Sequence, residues 1–381
     1  MAYFPAAVRI ARLIGNGVRY RICRYTGSPD RLRSLSLEIT HRCICRCCMC
    51  NIWRIPADVP DMNLTTIMEL LRSPGLRTLR ELDLTGGEPF LRQDIGSILQ
   101  AVCNLQSTHF PELRTLAITT NGLLTERVLK QVGEIIGPLG EQGVDLVLAC
   151  GIDAVGGLHD RIRQYPGAWD CLQQTLEGLY RIRDSHLNLI LGIKTTVVPL
   201  NVRELDRITD FAEKNRLFTI ISPRILTANR FRNNELEADL RFTDEDRKEM
   251  IRFFRSPRFA WAGHREALLR YLSGGPMRKP CSAGHNTLFV RHNGEVFPCP
   301  VISAPLGNIS THPLEMLYGN STACEFRKRV GTFPECAACT EPGLERLAWP
   351  CEGFTCLGLA WRRGLEDFES LIRHMGIDKH L

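Results

Sequence analysis

Between residues 34 and 222, short continuous apolar runs alternate with longer segments whose apolar positions recur every three or four residues. The runs are Ser34–Thr40, Glu81–Thr85, Arg114–Thr119, Val144–Ala149, Leu189–Val198 and Phe218–Ser222. The periodic segments lie near 64–75, 92–104, 124–137, 168–184 and 202–215. Runs this short predict strands, and the period between them predicts amphipathic helices. Six strand–helix alternations predict βα units around a parallel sheet. The strands are apolar throughout rather than alternating, which fits a sheet covered on both faces. An open doubly wound sheet and a partial barrel both satisfy this pattern. In either, chemistry belongs at the C-terminal strand ends and in the loops that follow them.

The pattern changes on both sides of this region. Residues 223–280 read as a connector, helical from about Thr243 to Leu272 and broken by Gly274, Gly275 and Pro276. From 281 to 359 the texture is short strands and turns, with "TLFVRHNGEVFPC" as a hairpin around Asn293–Gly294. A tail of residues 360–381 follows. Ahead of the first strand, in residues 1–33, the segment Phe4–Tyr25 sets Val8, Ile10, Leu13, Ile14 and Val18 among arginines. Such a helix either rests weakly on an anionic membrane surface or covers one end of the domain. The covering role is the expectation, because Gly15 and Gly17 weaken a long interfacial helix.

Composition narrows the class. The chain has 381 residues, 44% hydrophobic and 24% charged, an ordinary globular balance. Its net charge of +6 is concentrated in residues 1–33, where seven arginines face one acid, Asp30. The rest is neutral, and no nucleic-acid partner is expected. No apolar run is long enough to span a bilayer, and Arg9 and Arg12 interrupt any secretory signal. A cytoplasmic protein is therefore expected, in which 16 cysteines point to metal rather than to disulfides.

Five of those cysteines fall in "CICRCCMC", residues 43–50, directly after the first strand. Cys43, Cys47 and Cys50 give C-x3-C-x2-C. A structural zinc site takes four protein ligands, and a closed [4Fe–4S] carrier takes four thiolates. Three thiolates leave one iron open to another molecule. Cys45 and Cys48 are each able to supply a fourth ligand, so the local spacing leaves the choice open.

Further motifs follow successive strands: "TGGEP" (85–89), "TTNG" (119–122), "ACGIDA" (149–154), "HDRIRQYPGAW" (159–169) and "KTTVV" (194–198). With "LEITHRCICRCCMC" (37–50), this order resembles the radical S-adenosylmethionine (radical SAM) superfamily. The resemblance implies an α/β fold, a partial (β/α)6 TIM-type barrel followed by a small cysteine-rich α+β module. It implies that Cys43, Cys47 and Cys50 hold a [4Fe–4S] cluster whose fourth iron chelates SAM. Cys45 and Cys48 then become packing residues. Met49 stands beside the adenine where the family has an aromatic residue. Gly86, Gly87 and Glu88 correspond to the motif that holds the amino group of SAM. Thr119 or Asn121 reaches a ribose, and Asp153 is the polar partner in a Ser-x-Asp position occupied here by Gly151. Val197 lies on the strand that lines the adenine, and Arg161 and Arg163 engage SAM or substrate or pair on their helix.

The C-terminal cysteines are similar to SPASM or twitch modules, which carry auxiliary [4Fe–4S] clusters. Cys281, Cys299, Cys336 and Cys339 match the shorter pattern, so at least one auxiliary cluster is expected. Cys351 and Cys356 are alternative ligands or the remains of a second site. The resemblance implies an oxidoreductase-type enzyme that cleaves SAM to a 5′-deoxyadenosyl radical and takes hydrogen from a small-molecule or peptide substrate. A flavodoxin- or ferredoxin-type donor would supply the electron. No catalytic acid or base is assigned: His159, Asp160, Lys194 and Arg224 are candidates. No cobalamin-binding extension or N-terminal peptide-recognition domain is apparent. A non-catalytic iron–sulfur carrier or scaffold and a zinc protein are the competing readings.

Overall fold

The computed structural model describes residues 6–259, 264–374 and 376–380. Six parallel strands follow one another: β1 (Ser34–Thr40), β2 (Glu81–Gly86), β3 (Thr115–Thr120), β4 (Asp145–Gly151), β5 (Leu189–Val197) and β6 (Phe218–Pro223). Each strand pairs with its predecessor, so the order across the sheet is the order along the chain. A doubly wound sheet would reverse direction partway. Monotonic order puts every crossover on one face, and the sheet curls into a partial barrel with its helices outside.

That helical shell is α2 (Leu64–Leu71), α3 (Ile95–His109), α4 (Thr125–Glu141), α5 (Gly157–Arg163), α6 (Ala168–Ser185) and α7 (Leu205–Lys214). The five expected helices are present, and α5 is an additional short one within "HDRIRQYPGAW". The main core lies between sheet and shell, where Leu35, Leu37, Ile39, Leu82, Leu84, Leu146, Leu148 and Ile193 are buried. The alternate positions face the lumen. Ser36, Asp83, Ala117, Val147 and Ile190 share one register layer there.

The connector carries α8 (Asp244–Arg255) and α9 (Arg265–Leu272), interrupted at Pro257. The expected hairpin is β7 (Thr287–Val290) and β8 (Glu295–Phe297), with Gly294 at φ +84° in the turn. β7 pairs in parallel with β1, so this hairpin and β9 (Gly307–Asn308) extend the barrel sheet beyond its first strand. Helices α10 (Leu314–Gly319), α11 (Ser321–Arg329), α12 (Glu345–Glu352), α13 (Phe354–Arg363) and α14 (Leu365–His374) complete the chain.

The C-terminal end sits against the N-terminal ends of the strands. Lys379 Nζ lies 2.5 Å from Asp145 Oδ2, His380 Nε2 lies 3.5 Å from Glu81 Oε2, and Arg346 also pairs with Glu81. The N-terminal helix α1 (Ala6–Thr26) packs on α11, α12 and α13. Phe4, the first residue of the expected helix, lies outside the described residues.

Candidate functional site

The loop 41–51 leaves the C-terminal end of β1 after a register shift between Glu38 and Thr40. It has little regular structure of its own and is held by backbone bonds from elsewhere. Arg46 N donates to Arg163 O, Cys48 N to Ile162 O and Asn51 N to Phe231 O. Asp61 accepts from Thr40 Oγ1, His41 N and Arg42 NH1, which pins the start of the loop. Asn233, from the connector, donates to the carbonyl of Met49. The sequence carried no signal for either brace, since Asp61 and Asn233 belong to no periodic segment or cysteine motif.

Cys43, Cys47 and Cys50 are all half-buried on this loop. Arg163 NH1 lies 3.8 Å from Cys47 Sγ, and Asn121 Nδ2 lies 3.9 Å from Cys43 Sγ and 3.5 Å from Cys45 Sγ. Cys45 is buried among them. Its neighbours Cys43 and Cys47, aided by burial, hold its proton on, and its single S–H can serve one of the two at a time. That is a more specific place than the packing role expected for it. The Cys47 thiol is lowered to about 7 by the hydrogen bond from Cys45 and by Arg163, against burial. Burial pushes Cys50 up to about 12, and Cys48 likewise. Cys43 and Cys45 face the Asn121 amide and Cys47 faces the Arg163 guanidinium, which offsets the nearby Asp153 charge. This donor set suits a cluster bound as thiolate, whose binding would release the protons.

The glycines of "TGGEP" serve the same loop. A Cβ on Gly86, at φ +145°, would overlap Thr40 O, and one on Gly87 would overlap Arg42 O. Their backbone therefore runs directly against residues 40–42, with Gly87 N donating to Thr40 O and Glu88 N to Arg42 O, each 2.8 Å. Glu88 departs from its expected part as an ammonium acceptor. It is fully buried, and its carboxylate already accepts from Phe90 N, Thr120 Oγ1 and Asn121 N. It braces the 120–121 turn. Asn121 in turn aims its amide at the thiols, whereas Thr119 lines the barrel lumen.

Asp153 is fully buried and pairs with Arg163 at 2.8 Å. Its other oxygen accepts from Thr196 N. The guanidinium fills the space beside Gly151, where a Cβ would overlap it. Of the two arginines singled out in this stretch, Arg163 reaches the thiols and Arg161 is exposed. Val197 requires a correction. It faces the helical shell and belongs to the main core, because alternate β5 residues point away from the lumen. The adjacent Val198 instead joins Met49, Ala154, Ile162 and Leu240 in a small apolar cluster at the loop. Met49 is thus buried in an apolar cluster beside the cysteine loop.

A second thiol group lies across the barrel. Cys281, Cys299 and Cys339 share one apolar cluster with Phe326, Val330 and Phe333, and Cys336 is an electrostatic neighbour of Cys339 and Cys281. Burial pushes Cys281 up to about 12 and raises Cys299 further. Four converging thiols fit an auxiliary cluster. Cys351 and Cys356 do not join them. Cys356 is enclosed with Leu13, Trp349, Phe368 and Leu371, and Cys351 sits near Asp30, Glu352 and Cys23 at α1. Packing of α13 on α1 holds Cys356 in its own cluster, whereas Glu352, next to Cys351, accepts from Cys281 N at 3.1 Å.

The lumen forms a cavity of about 510 Å³ whose walls include Cys299 of the second group and run down to the N-terminal strand ends at Ser34, Glu81 and Asp145. Asp83, Thr119, Lys194, Arg230, Cys299 and Glu341 are among its walls. Arg230 stacks 4.8 Å above the Phe289 ring and lies 3.8 Å from Glu341. Lys194 has no hydrogen-bond or ion-pair partner among the described residues. Burial raises Asp83 toward its neutral form, whereas Lys194 and Arg230 hold Glu341 below the usual carboxylate range despite its burial. Over the whole lining the acidic and basic side chains balance, with Lys194 and Arg230 the cations on the Glu341 wall. Of the candidate acids and bases, His159 is buried against Asp153 N, Asp160 caps Gly167 and Trp169, and Arg224 donates to Leu240 O. Only Lys194 lines the lumen.

The family model of the radical SAM superfamily matches residues 37–212, and that of the SPASM iron–sulfur cluster-binding domain matches residues 281–340. The chain carries a radical SAM domain and a SPASM domain. Its radical SAM and SPASM domains imply a [4Fe–4S] cluster, SAM and auxiliary iron–sulfur binding. The SPASM match ends before Cys351 and Cys356, in agreement with their places in the fold.

Similar curated proteins include a GTP 3',8-cyclase of Campylobacter jejuni, 28% identical over 49% of this chain and 54% of that protein. Molybdenum cofactor biosynthesis protein 1 of Drosophila melanogaster is 37% identical over 25% of this chain and 16% of its own length. The chain spans about half or less of these relatives. Among solved structures, Streptococcus suis SuiB bound to precursor peptide SuiA superposes with TM-score 0.58 at 12% identity, covering 86% of this chain and 75% of that one. anSMEcpe with bound AdoMet and Cp18Cys peptide gives 0.56 at 14%, covering 89% and 99%. These two share the fold of this radical SAM chain.

Proposed function

We propose that this radical SAM protein is an enzyme that cleaves SAM reductively and abstracts hydrogen from a compact, anion-bearing substrate held in the barrel lumen. The observation that carries this reading is the presence of two thiol groups, Cys43/Cys47/Cys50 and Cys281/Cys299/Cys336/Cys339, in a barrel whose lumen holds a cavity that reaches Cys299. A simple carrier or a structural zinc protein has no use for such a cavity. When bound, the cluster and SAM supply a one-electron cleavage to methionine and a 5′-deoxyadenosyl radical, the electron coming from an external flavodoxin- or ferredoxin-type donor.

The chain's own residues bind and orient. Cys43, Cys47 and Cys50 hold the cluster, Cys45 and Asn121 donate toward the thiolates, and Arg163 offsets their charge. The apolar group of Met49, Ala154 and Val198 offers a surface for the adenine, and the shell around the lumen excludes water. Supporting a compact substrate is the cavity volume of about 510 Å³, within the usual range for small-molecule sites. Supporting an anionic group is the unpaired Lys194 with Arg230. An oxidation, a cross-link and a rearrangement are all compatible with this site, and a cyclisation, as in the GTP 3',8-cyclases, is one form of rearrangement.

Anaerobic reconstitution followed by dithionite and SAM tests the reading. Formation of 5′-deoxyadenosine that disappears in Cys43→Ala, Cys47→Ala and Cys50→Ala is expected. Bound iron without 5′-deoxyadenosine would leave the carrier reading in its place.

A further inference from the structure

The N-terminal helix α1 has two apolar sides, and only one is used by the fold. Its inner side buries Leu13, Tyr20 and Cys23. That side is also fixed by polar contacts: Tyr20 OH donates to Cys281 O, Asn16 Nδ2 to Pro350 O and Arg24 to Val330 O, while Arg9 pairs with Glu369. Gly17 belongs to this face. A Cβ there would overlap the Phe354 ring, so the glycine permits the close approach of α13 rather than weakening the helix. α1 is thus a rigid part of the molecule, tied to the SPASM domain.

The outer side carries Ile10, Ile14, Val18, Ile22 and Tyr25, which are 40, 45, 47, 57 and 88% exposed. Spacings of four, four, four and three residues put them on one line, about 22 Å long at the helical rise. Gly15 opens onto the same side, with nothing within 4 Å of a Cβ. By helical geometry Arg19, which pairs with Asp30, borders this line on one edge and Arg21, which stacks on Phe354, on the other. α1 contains no acidic residue. Trp361, two turns beyond Phe354 on α13 and so on the same side of that helix, is 88% exposed.

This arrangement reverses the one expected for a helix that simply covers the domain. Such a helix turns its best apolar line inward and leaves its arginines to solvent.

We propose that the outer face of α1 docks the enzyme on an anionic membrane surface, the apolar line entering the headgroup boundary and the arginines meeting lipid phosphates. Apolar contact bordered by cations is the composition of an interfacial helix. Charge complementarity selects the lipid over a second copy of the chain. An isologous contact would place one acid-free, arginine-bordered helix against another of the same sign. No helix among the described residues is long and apolar enough to cross a membrane, so the attachment is to the surface.

Flotation of the intact, reconstituted protein with vesicles tests this. Phosphatidylcholine vesicles containing one quarter phosphatidylglycerol should carry the protein upward at low salt, and pure phosphatidylcholine should carry much less. The double variant Ile14→Glu/Val18→Glu, altered only on the solvent side, should bind the anionic vesicles about tenfold more weakly. Its melting temperature, iron content and 5′-deoxyadenosine formation should match the parent. The proposal is overturned by equal binding to neutral and anionic vesicles, by absence of flotation, or by a variant that binds like the parent. It is also overturned if light scattering finds the parent dimeric and the variant monomeric, which would make this face a contact between copies.

Discussion

The guanidinium of Arg163 occupies the space that a side chain at Gly151 would need, while it pairs with Asp153 and reaches Cys47. The Ser-x-Asp position is therefore altered here for a physical reason. Restoring serine with Gly151→Ser should damage the protein, since the added atoms displace a buried cation. Overpacking of this kind costs about 1–3 kcal/mol. Arg163→Ala should cost more, about 3–5 kcal/mol, because Asp153 loses its buried partner. The decisive measurement is the double-mutant cycle, read in melting temperature and 5′-deoxyadenosine formation. Gly151→Ser should be nearly silent once Arg163 is alanine. Equal damage in both backgrounds would mean the two positions do not compete for space.

Within "CICRCCMC" the five cysteines should separate by iron content. Cys43→Ala, Cys47→Ala and Cys50→Ala should each lose the iron of one cluster. Cys45→Ala should keep that iron, since Cys45 donates its proton to a neighbouring thiol instead of binding metal. Iron and sulfide per chain after anaerobic reconstitution measure this directly. Loss of the same iron in Cys45→Ala would make it a ligand.

Cys351 and Cys356 should behave as a pair of packing thiols. Cys281→Ala, Cys299→Ala, Cys336→Ala and Cys339→Ala should lower iron by the amount of one auxiliary cluster, and Cys351→Ala and Cys356→Ala should not. Cys356→Ala should instead lose about 1–3 kcal/mol of stability through the cavity it leaves. A fall in iron with Cys356→Ala would restore the second auxiliary site.

What was legible in the sequence depended on how local its cause is. The six strands were, because each is a continuous apolar run ended by a turn, and the Asn293–Gly294 hairpin was, because its turn needs φ above zero at Gly294. The cysteine groups were, because ligand spacing is short-range. Glu88 was not: its donors Thr120 and Asn121 come from the next strand end. The fate of Cys351 and Cys356 depends on α1, more than 300 residues away. For α1 itself, Leu13 and Ile14 are equally apolar, and long-range contacts, Phe354 on Gly17 and Tyr20 on Cys281 O among them, decide which faces inward.

Lys194 should govern the substrate and leave the cluster chemistry intact. Lys194→Met should retain substrate-free 5′-deoxyadenosine formation, because the residue touches no thiol. A simple anion such as pyrophosphate should bind the parent at least about tenfold more tightly than Lys194→Met or Arg230→Met, as expected for charge-assisted hydrogen bonds of about 1.5–3 kcal/mol. Titration calorimetry of the reconstituted protein reads this. Equal binding by all three proteins would argue against an anionic substrate group.

His159 should give the protein an acid-sensitive limb. Its ring is buried, Nδ1 accepts from Asp153 N at 3.3 Å and Nε2 has no hydrogen-bond partner among the described residues. Burial, reinforced by the Arg163 charge, lowers it to about 3. An unfolded histidine titrates near about 6.5. Above that pH both states are neutral here and His159 adds no slope. As pH falls from 6.5 toward 3, the unfolded chain takes up a proton that the folded chain refuses. Stability then declines by up to about 1.4 kcal/mol per pH unit. His159→Asn, which keeps an acceptor for the Asp153 amide, should remove that part of the slope. Urea midpoints of parent and variant should therefore converge between pH 7 and 5.5, the acid lability of the clusters being common to both. Parallel declines across that interval would show that His159 is not the group refusing the proton.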